Sequence, residues 1–137
     1  MIAGVGTDVV AIAGFAAQLA DPASRFEDAT FTALERRTAN SRPSGDPTAH
    51  LAARFAAKEA FIKAWSGARY GQTPQLAAVD MREIEVVNDA FGRPSLRLAG
   101  GVARAVADCY PAHRIHLSVS HDGPIATAFV VLEGSQS

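Results

Sequence analysis

The chain has 137 residues, 48% of them hydrophobic and 20% charged, with a formal charge of −1. That length holds one domain with a real core and leaves little room for a second. The charge balance excludes an overall polybasic footprint for nucleic acid, and the lone Cys109 excludes an internal disulfide and fits a reducing compartment.

Residues 2–12 read as a buried strand, almost wholly apolar, in which Gly4 and Gly6 allow a close backbone approach. Asp8 interrupts it. The apolar start carries no basic flank and meets that charge early, so neither a signal peptide nor a membrane span is expected, and the expected location is the cytoplasm. Phe15–Leu19 and Thr32–Arg37 read as short helices, the second opened by a capping box between Thr32 and Glu35. Residues 39–48 have the composition of a loop. A long helix is predicted from about His50 to Ser66, capped at Gly67, followed by a loop over 68–80.

A hairpin comes next, with strands at 82–87 and 95–98 around a turn at 88–94. Ile84 and Val86 alternate there with Glu83 and Glu85, as in a half-exposed strand. Gly100–Tyr110 reads as a helix with Val102, Val106 and Cys109 on one side. The last hairpin pairs 115–120 with 125–133 through a His-Asp-Gly-Pro turn. This order predicts a single α+β domain over residues 1–134, with a mainly antiparallel sheet and one long central helix. Residues 135–137 are expected to fray.

The long helix carries the chemistry. Leu51, Phe55, Ile62 and Trp65 fall on one apolar stripe, and Glu59 lies inside it. A carboxylate aimed at a core is costly unless a positive charge meets it. Lys63, one turn on, is a candidate partner. Asp8 and Glu59, two isolated acids in apolar sequence, also suit a shared magnesium ion, which takes hard oxygen ligands and needs only one or two carboxylates beside substrate phosphates. The His and Cys residues have no zinc spacing. The plainer alternative is that Asp8 caps a turn and Glu59 merely pairs with Lys63.

Arg54 and Lys58 stand one turn apart on an offset face. From Arg36 to Lys63 six bases (Arg36, Arg37, Arg42, Arg54, Lys58, Lys63) face two acids (Asp46, Glu59). That excess suits a polyanionic ligand or an acidic partner; a solvated helix face is the bland reading. Ser118 and Ser120 share a strand face, and His121 is expected to open the turn, either as a phosphate donor or acid–base group or as an ordinary polar turn residue. His113 and His116 have no motif partner. No nucleophile elbow surrounds either serine, so a Ser-His-Asp triad does not fit.

Four blocks together resemble the holo-[acyl-carrier-protein] synthase family, the small single-domain class of 4′-phosphopantetheinyl transferases: Gly4-x-Gly6-Thr7-Asp8-Val9-Val10; Arg54-Phe55-Ala56-Ala57-Lys58-Glu59-Ala60-x-x-Lys63-Ala64; Asn88-Asp89-x-x-Gly92-Arg93-Pro94; and Ser118-Val119-Ser120-His121. They occur in the family's order and span nearly the whole chain. The resemblance implies the phosphopantetheinyl transferase fold, sheets meeting in a homotrimer, and coenzyme A bound in clefts between subunits. It implies magnesium held at Asp8 and Glu59, and coenzyme A phosphates handled by Arg54, Lys58, Lys63 and His121, with Asn88, Gly92 and Pro94 near the adenosine end. The implied activity is magnesium-dependent transfer of phosphopantetheine to a serine of an acyl carrier protein or carrier domain, in fatty acid biosynthesis. Asp8, Glu59 and Lys63 would be the catalytic residues, and the base is left open between Glu59, Asp8 and a metal-bound water. Neither a nucleic acid nor a membrane is an expected partner. The rival reading is a non-catalytic trimeric module that binds coenzyme A or a carrier.

One departure stands out. The family carries charged residues after its first strand, including an arginine that meets the acidic carrier. Here residues 11–17 hold no charge, so carrier recognition is expected to fall to Arg25, Arg36, Arg37 or Arg42, or to apolar contact.

Overall fold

A computed structural model describes residues 1–42 and 45–137; residues 43–44 of the predicted loop lie outside that range. The strand β1 (Ile2–Ala11) leads into α1 (Ile12–Ala20), α2 (Phe26–Thr30), α3 (Ala33–Asn40) and the long α4 (Pro47–Ala68). A 3₁₀ turn at Met81–Glu83 precedes the hairpin of β2 (Ile84–Asn88) and β3 (Pro94–Leu98). Helix α5 (Gly100–Cys109) and a second hairpin, β4 (Arg114–Asp122) with β5 (Ile125–Glu133), complete the chain. All strand pairs are antiparallel, in a three-stranded sheet of order β1-β5-β4 and a separate β2-β3 pair. The α+β class and the central helix are as the pattern predicts.

Helix α4 forms because alanine, the best helix former, fills most of its turns. Pro47 occupies the first turn and the Asp46 carboxylate accepts the Thr48 N–H at 2.9 Å. The same alanines let β1 press against it. A Cβ placed on Gly4 would sit 2.0 Å from the Ala64 carbonyl oxygen, and one on Gly6 1.9 Å from that of Ala60. Only glycine permits that approach. Gly67 lies within the helix and Arg69 caps it, so the predicted stop falls two residues early.

The capping box of α3 is present: Thr32 Oγ1 accepts the Glu35 N–H, and Glu35 Oε1 accepts the Thr32 N–H. The five-residue α2 is too short to give a periodic signal. It joins α1 to the core through Phe26, which packs with Phe15, Phe31 and Phe55 at centroid distances of 5.2–6.4 Å.

Three expectations require correction. Strand β1 is not buried: its inner face holds Gly6 and Val10, but Val5 and Val9 on the outer face are 54% and 62% exposed. Glu85 is not on a solvated face; it is buried, accepting from Thr32 Oγ1 at 2.6 Å and from the Arg97 guanidinium. The C-terminal tail is tied down, because the Ser137 N–H donates to the Cys109 carbonyl at 2.9 Å and Gln136 exchanges hydrogen bonds with Gln72.

Candidate active site

Close contact between β1 and α4 sets the position of the first cluster. Asp8 follows Gly6 on the inner face of β1, and Glu59 precedes Ala60 on α4. Lys63 reaches back across the gap and donates to Asp8 Oδ1 and to the Thr7 carbonyl, both at 3.0 Å. The lysine therefore pairs with Asp8 and not with Glu59, unlike the plainer reading of the sequence. Glu59 has no ion pair within 4.0 Å among the described residues. Burial, then the negative charge of Asp8, pushes its carboxyl above the usual range, with Lys63 opposing. Two carboxylates that repel each other, with one ammonium paired to Asp8 alone, are short of positive charge. Their all-oxygen donor set fits a magnesium ion that completes its shell with water and phosphate. Among the described residues no third His, Cys, Asp or Glu joins them as a ligand set.

The second cluster lies at the other end of α4, where its first turns meet the β2–β3 turn and β4. A cavity of about 350 Å³ is lined there by Arg42, His50, Arg54, Gly92, Pro94 and His121, among others. Arg54 Nη2 donates to Asn88 Oδ1 at 3.0 Å. Burial, then the charge of Arg42, lowers the Arg54 pKa to about 10, against the pull of Glu35. The guanidinium stays charged at neutral pH all the same. Thus the structure gathers Arg54, Asn88, Gly92, Pro94 and His121 from three separate sequence blocks. His121 is not a turn residue: it is paired with Ala126 inside the hairpin, and the turn is Gly123-Pro124, with Gly123 at a φ of +54°. Its place in the strand directs it to the α4 side of the sheet.

Lys58 does not belong with them. Its side chain and that of Glu35 are both 0% exposed, paired at 2.8 Å, and its ammonium also donates to the Met81 carbonyl at 2.9 Å. Burial depresses its pKa while Glu35 supports the charge. With no solvent-facing atoms and two of its three donors committed, Lys58 is a tie between helices and does not line the cationic cavity.

Sequence reasoning gives His50 no task and counts Arg42 only in the general basic excess and among the candidate carrier contacts, yet both face the cavity. Neither carried a local signal, since Arg42 sits in a loop and His50 in the first turn of an Ala-rich helix.

A third feature is an apolar cavity of about 250 Å³ beyond Glu59, lined by Ile62, Trp65, Ser66, Leu76 and Val79 among others.

The comparisons with known proteins agree with one another. A family model described as the 4′-phosphopantetheinyl transferase superfamily matches residues 4–129. The chain is 49% identical to a holo-[acyl-carrier-protein] synthase of Mycobacterium ulcerans over 134 residues, 98% of each chain. It is 48% identical to that of Mycobacterium leprae over 132 residues, 96% of this chain and 97% of the relative. Among solved structures, a Chronobacterium ammoniagenes ACPS–CoA complex superposes with a TM-score of 0.89 at 47% identity, covering 96% and 97% of the two chains. The acyl carrier protein synthase of Mycobacterium tuberculosis does so with a TM-score of 0.77 at 46% identity, covering 98% and 99%.

Proposed function

The chain belongs to the 4′-phosphopantetheinyl transferase superfamily, and from that premise we propose that it moves the 4′-phosphopantetheine group of coenzyme A onto a serine of an apo acyl carrier protein, releasing adenosine 3′,5′-bisphosphate. The observation that carries this reading is the order of surfaces along α4. A cationic cavity at Arg54 comes first, then the Asp8–Glu59–Lys63 cluster, then the apolar cavity at Ile62 and Trp65. At the helical rise, Arg54 and Glu59 are about 7.5 Å apart along the axis, and Ile62 about 4.5 Å further. Coenzyme A presents a phosphorylated adenosine, a diphosphate and a pantetheine arm in the same order.

Asp8 and Glu59 are the residues that would hold magnesium; when bound, it neutralises and orients the diphosphate. The serine oxygen attacks the β-phosphorus, and the bond to the α-phosphate oxygen breaks. Lys63 is placed to stabilise or protonate that leaving phosphate. Glu59 is the candidate for the serine proton, directly or through a water, because it is the carboxylate of this cluster without an ion-pair partner. The test is mass spectrometry of an apo-carrier incubated with the protein, coenzyme A and magnesium. One phosphopantetheine should be added, and EDTA should abolish the addition until magnesium is restored. A binding module would leave the carrier mass unchanged and hold coenzyme A equally well in EDTA.

A homotrimer is the proposed assembly. Its support is the outer face of the three-stranded sheet, where Val5, Val9, Ile125 and Phe129 are all exposed, an apolar surface of the kind that partners cover. For the carrier, Arg42 faces the coenzyme A cavity, Arg25 and Arg37 are exposed, and Arg36 stays partly exposed while paired with Asp28 at 2.9 Å. Reversing charge with Arg36→Glu and Arg37→Glu together should raise the KM for carrier roughly tenfold through lost electrostatic complementarity, with little change in the KM for coenzyme A. Equal losses for both substrates would count against a separate carrier patch.

A further inference from the structure

The cavity at the start of α4 contains one buried polar group to which the transfer chemistry assigns nothing. His50 is only 6% exposed, and its Nδ1 lies 3.1 Å from Arg42 Nη1. A guanidinium nitrogen can only donate, so Nδ1 must accept, and the neutral ring carries its proton on Nε2. The neighbours enforce that state. Burial first, then the charges of Arg54, Arg42 and His121, lower the His50 pKa to about 4. The one acid on this wall, Asp46, spends Oδ1 on the Thr48 N–H. That leaves Nε2–H as the single buried side-chain nitrogen or oxygen without a hydrogen-bond partner among the described residues.

Folded proteins rarely keep a buried donor unpaired without a use for it. Two guanidinium side chains, Arg42 and Arg54, share the cavity with this donor, so the acceptor that suits it is an anion. Given the reading of this site as the coenzyme A site, we propose that His50 reads a phosphate oxygen of that ligand: Nδ1 holds the Arg42 guanidinium at the cavity wall, and Nε2–H donates to the phosphate. The two ring nitrogens thus couple a positioned arginine to a direct contact. Protonation of the ring would end the first role, because a charged imidazole has no lone pair left for Arg42, while Nε2–H would still donate.

The test uses the full chain, calorimetric titration with coenzyme A and with adenosine 3′,5′-bisphosphate, and thermal melts without ligand. His50→Phe keeps the ring shape and removes both hydrogen bonds. His50→Asn retains an acceptor near the Nδ1 position, and His50→Gln a donor near Nε2. The phenylalanine variant should bind both ligands about tenfold more weakly, yet melt at or above the wild-type temperature, since it no longer buries an unpaired donor. The asparagine and glutamine variants should each recover part of the affinity. Binding by His50→Phe within twofold of wild type, or a lower melting temperature with affinity intact, would overturn the proposal and leave His50 a packing residue. If the wild type binds coenzyme A but modifies no carrier, the transferase reading fails while this one stands; if it binds neither ligand, both fall.

Discussion

Glu59→Gln should reduce phosphopantetheine transfer by roughly 100- to 10,000-fold, the range expected when a positioned acid–base group is lost, while the folded state survives. The glutamine is isosteric, so the packing of α4 on β1 is kept, but the ion loses one of its two carboxylates and the serine loses its proton acceptor. Stability should respond to pH in a defined direction. Burial and the nearby Asp8 charge raise the folded-state pKa of Glu59 above its unfolded value. The native protein therefore binds that proton more tightly than the unfolded chain does. The contribution is fully present below the unfolded pKa and is lost as pH rises through the folded one. Measured without metal, the melting temperature of Glu59→Gln relative to wild type should thus climb as pH rises from 4 to 8. Magnesium should raise the melting temperature of the wild type and have little effect on the variant. Turnover within tenfold of wild type in a coenzyme A-dependent carrier assay would remove Glu59 from the reaction.

The two acids are legible in the sequence because a local pattern can encode them. Asp8 announces itself by interrupting an apolar run and Glu59 by falling inside the apolar stripe of its helix, and burial without compensation is a rule that acts at the level of a single residue. The Gly4 and Gly6 approach and the Thr32–Glu35 box are legible for the same reason, since each is decided within a few positions. Lys58 was not. Its helical neighbours place it one turn from Arg54, and nothing nearby reveals that Glu35, twenty-three positions earlier, waits for it in the core. Glu85 is the same case, its burial being made acceptable by Thr32 and Arg97 from other elements. In the sequence His121 reads as a turn residue because Asp-Gly is the strongest hairpin signal in the segment. The strands in fact pair as far as Asp122 and Ile125, so the turn shrinks to two residues. The cavity that gathers Arg42, His50, Arg54 and His121 depends on where four elements meet, and no spacing in the chain encodes it.

The correction at Lys58 carries the second large effect. Glu35 Oε1 accepts the Thr32 N–H at 3.0 Å and the Lys58 ammonium at 2.8 Å, and Oε2 accepts the Val86 N–H at 2.8 Å. Lys58 adds the Met81 carbonyl and lies 5.5 Å from the Phe31 ring centroid. One ion pair thereby fastens α3, α4, the 3₁₀ turn and β2. Lys58→Met fills most of the volume but leaves a buried carboxylate unpaired, which costs about 3–5 kcal/mol. Chemical denaturation should show that loss. In enzyme still folded at low temperature, the KM for coenzyme A should stay near the wild-type value, because Lys58 is buried away from the cavity wall. Adding Glu35→Gln should recover only part of the stability: the uncharged amide removes the stranded charge, but it has one acceptor oxygen for two backbone N–H groups, those of Thr32 and Val86. The opposite pattern, normal stability with a KM for coenzyme A raised tenfold or more, would return Lys58 to the phosphate site and show that its burial gives way when the ligand arrives.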